Sequence, residues 1–237
     1  MNVPWVTVQR KPRVAILATG DELVMPGEAV GASQIISSNS LSIAAYVREL
    51  GGDPINLGIA QDSEESLRKM LDGAKGADLL ITIGGASVGD HDLVRRVLDG
   101  EGFDLNFFRV AMRPGKPLIF GKLGRVPVLG LPGNPVSAGV TAVIFLRPAM
   151  NIMLGIAASD APEETAQLGR DVTANDQRQD YLRATLSVDE AGRRTATPFD
   201  AQDSAMMARL AAADCLIIRP PHAEPAKAGD TVEIIPL

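Results

Sequence analysis

Residues 78–92 read DLLITIGGASVGDHD, and the change of texture halfway along decides the fold. Leu79, Leu80, Ile81, Thr82 and Ile83 form an apolar, partly β-branched run, which predicts a strand covered on both faces. Gly84, Gly85 and Gly89, with Ser87 among them, then make a glycine-rich turn. A short helix is expected over 91–98. A strand that ends in such a turn and returns as a helix is half of a βαβ unit. The turn's backbone N–H groups form a nest suited to an anion. Its spacing is neither G-x-G-x-x-G nor a Gly-Lys-Ser phosphate loop, so neither nucleotide motif is supported.

The same alternation extends in both directions. Toward the N-terminus, RVAILAT at 13–19 predicts a buried strand, 40–50 a helix stopped by Gly51-Gly52, and 53–59 a second strand. Ser63, followed by two acids, predicts the cap of another helix. Toward the C-terminus, strands are expected at 105–110, 117–121 and 126–131. A helix then runs from 136 to about 153, with Asn134 as cap, Pro135 at its first position and a kink or break at Pro148. The expected fold is α/β: a three-layer, mostly parallel sheet with helices on both faces, whose ligands sit beyond the carboxyl ends of the strands. Residues 156–164 read as a polar linker. Beyond it, short strands at 165–170, 181–188, 194–198, 214–219 and 231–235, with one helix at 204–212, predict a small, mostly β, barrel-like domain. The expected division is therefore 1–155 and 156–237. Residues 3–8 alternate weakly, as an edge strand or a tail would.

Composition narrows the function. The chain has 237 residues, 46% of them hydrophobic, enough for a sizeable core. A formal charge of -6 argues against a nucleic-acid backbone as partner but leaves room for a small anionic ligand. The single cysteine, Cys215, excludes an internal disulfide framework and a multi-cysteine zinc site, and its apolar neighbours place it in a buried strand. Two histidines, His91 and His222, are too few for a histidine metal site. No basic-then-apolar leader and no apolar run of membrane length is evident, so a cytoplasmic protein with no membrane partner is expected.

Four loops at strand ends carry the candidate chemistry. Thr19, Gly20, Asp21 and Glu22 place two acids after the first strand, read either as a solvated turn or as groups for a metal or ligand. In the glycine-rich turn, Asp90 and Asp92 are helix-capping acids or, alternatively, ligands of a magnesium ion that bridges to phosphate. Arg109, Arg113 and Lys116 put three cations within eight residues, two of them around the Pro114-Gly115 turn, as an oxyanion would require. Pro132, Gly133, Asn134 and Ser137 lie where a strand meets a helix N-terminus, an ordinary cap or a second anion site. Together these loops suit a phosphorylated or nucleotide-linked ligand. No Ser-His-Asp or Cys-His arrangement is evident.

The motifs TGDEL, SSNS, GGASVGDHD, RPGKP and GLPGNPVS, in this order, closely resemble the molybdopterin-binding domain of the molybdopterin molybdenumtransferases and of the gephyrin E domain. The resemblance runs from about 13 to 154, and 165–237 resembles the family's C-terminal β domain more loosely. It implies that adenylated molybdopterin and molybdate are substrates, that AMP is released, and that Mg2+ assists. It implies further that Glu22, Asp62 and Asp92 are active-site acids, that Glu22, Asp90 and Asp92 face the metal, and that Lys116 acts in catalysis. Lys116 and Ser137, with Arg183 and Ser204, correspond to molybdate-binding groups. Thr19, Gly20, Asp21, Gly84, Gly85, Ser87, Gly89, Arg109, Arg113, Pro132, Gly133 and Asn134 fall on the motifs that hold the pterin nucleotide. Arg109 and Arg113 stand where the family frequently has Lys. The resemblance also implies a homodimer, with a molybdopterin adenylyltransferase or target molybdoenzymes as protein partners. The family normally carries two further domains ahead of the first strand, and residues 1–11 read as the end of such a region. A non-catalytic molybdopterin-binding module and a molybdopterin adenylyltransferase are the alternative readings.

Overall fold

In a computed structural model, residues 3–84, 93–156 and 164–237 are described. The first half is built on β1 (Arg13–Thr19), β2 (Leu23–Val24), β3 (Ile35–Ile36), α1 (Asn39–Glu49), β4 (Asp53–Ala60), α2 (Glu64–Leu71), β5 (Leu79–Ile83), α3 (Leu93–Gly100), β6 (Phe103–Phe108), β7 (Met112–Arg113), β8 (Ile119–Leu123) and β9 (Val126–Leu131). Its main sheet has the order β4-β1-β5-β9-β8-β6. The pairs β4–β1, β1–β5 and β5–β9 are parallel, and β8 runs antiparallel to both neighbours. All the strands but β8 therefore end at the same rim.

Period-two alternation divides the core. Ala15 and Leu17 face α2 and α3, packing with Leu67, Leu71, Val94, Val97 and Leu98. Val14 and Ile16 point the other way, onto Ile43, Ala44 and Val47 of α1 and Ala142, Leu146 and Met150 farther along. Both sets are buried, which is why β1 reads as a continuous apolar run rather than an alternating one. The helix after β9 is divided as Pro148 requires. α4 (Pro135–Thr141) gives way to a π-turn at Ala142–Leu146, and α5 (Arg147–Met153) begins with Pro148 in its first turn. The π-turn widens the helix where proline has no N–H to donate. As one unit, Pro135–Met153 is long and apolar enough to cross a membrane by length and composition, contrary to the sequence reading. Here it lies against the sheet, with Val136, Val140, Leu146 and Met150 fully buried.

The second half comprises β10 (Glu164–Leu168), β11 (Gln179–Val188), β12 (Arg194–Pro198), α6 (Met207–Ala211), β13 (Cys215–Arg219) and β14 (Thr231–Pro236). Its strands follow β12-β10-β14-β13-β11, and a β12–β11 pairing closes them into a barrel. Short side chains make its tight interior: Ala166, Ala184, Ala196 and Cys215, with Leu168, Ile217 and Ile234. β7, from the first half, extends this sheet by pairing with β11. Met112, Val136, Val140, Tyr181 and Leu216 form one apolar cluster that joins α4 to the barrel.

Of the two readings of residues 3–8, the edge strand is absent and a tail remains, with Val3, Trp5, Val6 and Val8 exposed. Two further features differ from the sequence reading. The helix expected at 204–212 shortens to α6, because Ser204 is used elsewhere. The two-residue strands β2, β3 and β7 were not foreseen, being too short to show a period. The expected linker lies largely at 157–163, outside the described residues.

Cys215 offers a direct test of the barrel interior. It is fully buried, and burial followed by the charge of Asp214 pushes its thiol up to about 11. A raised pKa means that the native state holds the proton more tightly than the unfolded chain does. The associated stability is present at neutral pH and is lost as pH climbs from the ordinary thiol range toward 11. At pH 8 a disulfide reagent should therefore leave the native thiol unmodified over hours and titrate one thiol in guanidinium. Rapid native labelling would place Cys215 outside the barrel core.

Candidate functional site

A cleft of about 700 Å³ opens at the rim where the parallel strands end. Thr19, Gly20 and Glu22 reach it from β1, Ser37, Ser38 and Asn39 from the start of α1, Asp62 from the end of β4, and Gly84 from β5. Pro132, Gly133, Asn134 and Ser137 enter from the β9–α4 turn, and Pro117 from the cation loop. Leu23, Ile35, Ile36, Ile83 and Leu93 give it apolar wall. Residues of all five motifs thus share one cavity, as the parallel topology demands. Asp21 lines an adjoining cavity of about 610 Å³, which also borders Gly20, Leu23 and Asp62.

The loops are fastened to one another. Asn39 Nδ2 donates to the carbonyl of Gly133 at 2.7 Å, so the SSNS motif holds the β9–α4 turn. Its Oδ1 is buried with no partner. Gly84 has φ +87°, and a methyl group there would lie 2.7 Å from the Thr19 carbonyl oxygen. The β1 and β5 loops approach this closely only because position 84 has no side chain. A methyl at Gly20 would meet the Glu22 carboxylate at 2.6 Å, which places that carboxylate over the β1 turn.

Acids gather at one end. The Asp62 N–H donates to Asp21 Oδ1 at 2.9 Å. Burial, then the charge of Asp21, push the Asp62 carboxyl above the usual carboxylate range; the Asp21 backbone N–H pulls the other way, and the Glu22 charge adds a smaller push. Among the described residues no three His, Cys, Asp or Glu groups come close enough to hold a metal ion. The expected metal acids Asp90 and Asp92, and Gly85, Ser87 and Gly89 of the anion nest, lie outside the described residues.

The cation loop lies at the other end and divides its cations. Lys116 is exposed, one residue before Pro117 on the cleft. Arg109 has φ +69° and stacks on Phe108, its guanidinium 4.7 Å from the ring centre. Arg113, expected to face the ligand, is turned away. Its Nε donates to Asp180 Oδ1 at 2.9 Å, its Nη2 donates to Oδ2, and its Nη1 lies 3.7 Å from Asp176. The β7–β11 pairing places Arg113 opposite Asp180. The sequence could not show this, because the acid lies 67 residues away.

From the barrel, Ser204 reaches the N-terminus of α4. Its carbonyl accepts from Val136 N at 3.2 Å, and its Oγ accepts from Asn134 Nδ2 at 3.0 Å. These bonds satisfy a donor that a helix start leaves open. Arg183 is 1% exposed, and among the described residues it has no carboxylate ion pair. Its Nη2 donates to the Asp203 carbonyl at 3.1 Å and its Nε has no partner. Burial lowers its pKa, Asp203 opposes this, and Arg209 adds to it. Sequence reasoning gave no role to Asn39 or to Arg96, which lines the cleft from α3 and lies 3.4 Å from Glu64. The SSNS motif was a signal for Asn39. Arg96 offered none, being one of two adjacent helix arginines.

Comparison with known proteins fits this geometry. A family described as "Probable molybdopterin binding domain" matches residues 15–151, and "MoeA C-terminal region (domain IV)" matches 165–237. The molybdopterin molybdenumtransferase of Haemophilus influenzae is 32% identical over 238 residues, covering 100% of this chain and 59% of that protein. The molybdopterin molybdenumtransferase of Nostoc sp. is 38% identical over 188 residues, covering 77% of this chain and 43% of that one. The solved molybdopterin biosynthesis MoeA protein from Pyrococcus horikosii superposes with a TM-score of 0.80 at 30% identity, over 94% of this chain and 54% of that one. The chain spans about half the length of these relatives.

Gly84→Ala tests the close approach at the rim. Both the left-handed backbone and the contact with Thr19 oppose a methyl group. Urea unfolding should show a loss of about 1–3 kcal/mol. A neutral substitution would mean that the two loops do not pack in this way.

Proposed function

The chain belongs to the molybdopterin-binding family of molybdenum-cofactor biosynthesis, within the molybdopterin molybdenumtransferases, and on that premise we propose that it transfers molybdenum from molybdate to adenylated molybdopterin and releases AMP. One observation carries this reading. The β1, β4, β5 and β9 loops share a single cleft, and the barrel delivers Ser204 to the helix start beside it. The phosphates of the pterin nucleotide would lie over Gly84 and the N-terminus of α4, where backbone donors and the helix dipole favour anions. Lys116, Ser137, Arg183 and Ser204 would hold molybdate. A cation, two hydroxyls and a guanidinium match a tetrahedral oxyanion. Ser137 is largely buried on the cleft, in the first turn of α4. The unpartnered Nε of Arg183 supports the assignment, since a buried guanidinium without a carboxylate is costly until an anion compensates it.

The Asp62 carboxyl, raised by burial and then by the charge of Asp21, would be stabilised in its charged form by a nearby divalent cation. Glu22 and Asp62, with Asp90 and Asp92, would hold Mg2+, whose contribution is to neutralise phosphate charge as the bond to AMP breaks. The chain's own groups position the nucleotide, shield it on the Leu23, Ile35 and Ile36 wall, and keep molybdate next to the pterin. The proposal includes a cytoplasmic homodimer, which sedimentation at micromolar concentration checks.

Incubation with adenylated molybdopterin, molybdate and Mg2+ should yield AMP and active cofactor. Binding without AMP release would leave a carrier, and synthesis of the adenylate from ATP would make the chain an adenylyltransferase. Asp62→Asn should lower Mg2+-dependent AMP release by about 10²-fold while nucleotide binding holds. An unchanged Mg2+ dependence in Asp62→Asn excludes Asp62 from the metal site. Lys116→Ala should raise the molybdate requirement roughly tenfold without slowing AMP release at saturating molybdate. An unchanged requirement removes Lys116 from the oxyanion site.

A further inference from the structure

We propose that Gln202 is a positioning residue of this site: its side-chain amide clamps the backbone of Arg183 and so sets both the Arg183 guanidinium and the Ser204 hydroxyl for one oxyanion. The inference rests on the reading above that Arg183 and Ser204 hold molybdate. It begins with a gap in the barrel ladder. β11 pairs with β12 from Val188 back to Ala184, whose partner is Pro198, the last residue of β12. On that side the Arg183 carbonyl still accepts from Phe199 N at 3.1 Å, but no strand residue accepts from its N–H; Arg183 is 1% exposed, so that N–H left unpaired would be costly. The Gln202 side chain supplies the missing acceptor. Its Oε1 accepts from Arg183 N at 2.9 Å, and its Nε2 donates to Arg183 O at 3.0 Å and to Phe199 O at 3.1 Å.

The next two residues act outward from that anchor. The Asp203 carbonyl accepts from Arg183 Nη2, and Ser204 docks on Asn134 and Val136 at the start of α4. Three successive residues thus hold the Arg183 main chain, the Arg183 side chain and the helix that carries Ser137. A local fault at Gln202 would be felt at both barrel-derived groups together. A residue that merely filled a turn would affect folding without distinguishing molybdate from the adenylate end of the cleft.

The test uses the whole chain and two probes, molybdate and AMP, titrated separately by calorimetry. Gln202→Met keeps length and volume but neither donates nor accepts. It should weaken molybdate binding by about 10–100-fold, the range for groups that orient ligating residues, and leave AMP affinity within about twofold. The Arg183 Nε–H resonance, identified by its loss in Arg183→Lys, should move on molybdate addition in the unaltered protein and need correspondingly more molybdate to move in Gln202→Met. If Gln202→Met does not fold, Gln202→Glu replaces it. Its carboxylate still accepts from Arg183 N but faces two carbonyls with no donor, and it should show the same selective loss. Unchanged molybdate affinity in a folded variant overturns the positioning role, as does an equal loss for both probes. An unaltered protein that binds AMP but no molybdate overturns the oxyanion site itself, a result distinct from failure of the clamp.

Discussion

The parallel pairing of β4, β1, β5 and β9 is the constraint on which the rest of the molecule depends. Each parallel step needs a crossover through a helix, so each chain segment leaves the sheet at the same rim. That rule gathers Gly20, Asp62, Gly84 and Gly133 around one cleft, though they span more than a hundred residues of sequence. Burial enforces the topology. β1 is covered on both faces, and burying each large aliphatic side chain contributes about 1.5–3 kcal/mol, so no shift in register can expose one face cheaply. The site is therefore a consequence of core packing rather than an addition to it.

The helix after β9 connects this rim to the barrel. One of its faces closes the sheet through Ala142, Leu146 and Met150, and its first turns meet Tyr181 and Leu216. Its N-terminus presents donors that must be satisfied, and the barrel satisfies one of them through the Ser204 carbonyl. β7 adds a backbone tie from the cation loop to β11. These contacts fix the barrel loop at 199–206 against the cleft without a long linker setting the distance. Membership in the molybdopterin molybdenumtransferases accounts for the pairing of these two folding units. The chemistry proposed for them depends on the contacts just described.

How much of this was legible in the sequence depended on how local each signal was. The β1 strand, the Ser63 cap and the Pro135 start were readable because each is set by neighbouring residues: an apolar run, a side chain accepting from Ser66 N, and a missing N–H. The break near Pro148 was expected, but its form, a π-turn five residues long, reflects how the helix packs on the sheet. Long-range pairing was not legible. Arg113 reads as a ligand cation beside a Pro-Gly turn, and only the β7–β11 register reveals Asp180 opposite it. The shortening of α6 has the same origin, since Ser204 is captured by Asn134 from another domain. For the acidic rim, Asp21, Glu22 and Asp62 are visible as separate acids, while their coupling at Asp62 emerges only where β1 and β4 lie side by side.

That acidic coupling also gives the cleft a direction. Asp21, Glu22 and Asp62 lie at the β1–β4 end, whereas Lys116, Arg183 and the α4 N-terminus lie toward β9 and the barrel. On the proposed reading, a chain of net charge -6 thus keeps cations near one end of its ligand site. A uniformly basic pocket would bind polyanions without orienting them. A graded one favours a ligand whose phosphates reach a bridging cation at one end and whose companion oxyanion meets the guanidinium at the other. The spent cation, Arg113, sharpens that grading. By pairing with Asp180 it removes one positive charge from the loop and, on the proposed reading, leaves Lys116 and the buried Arg183 for the oxyanion.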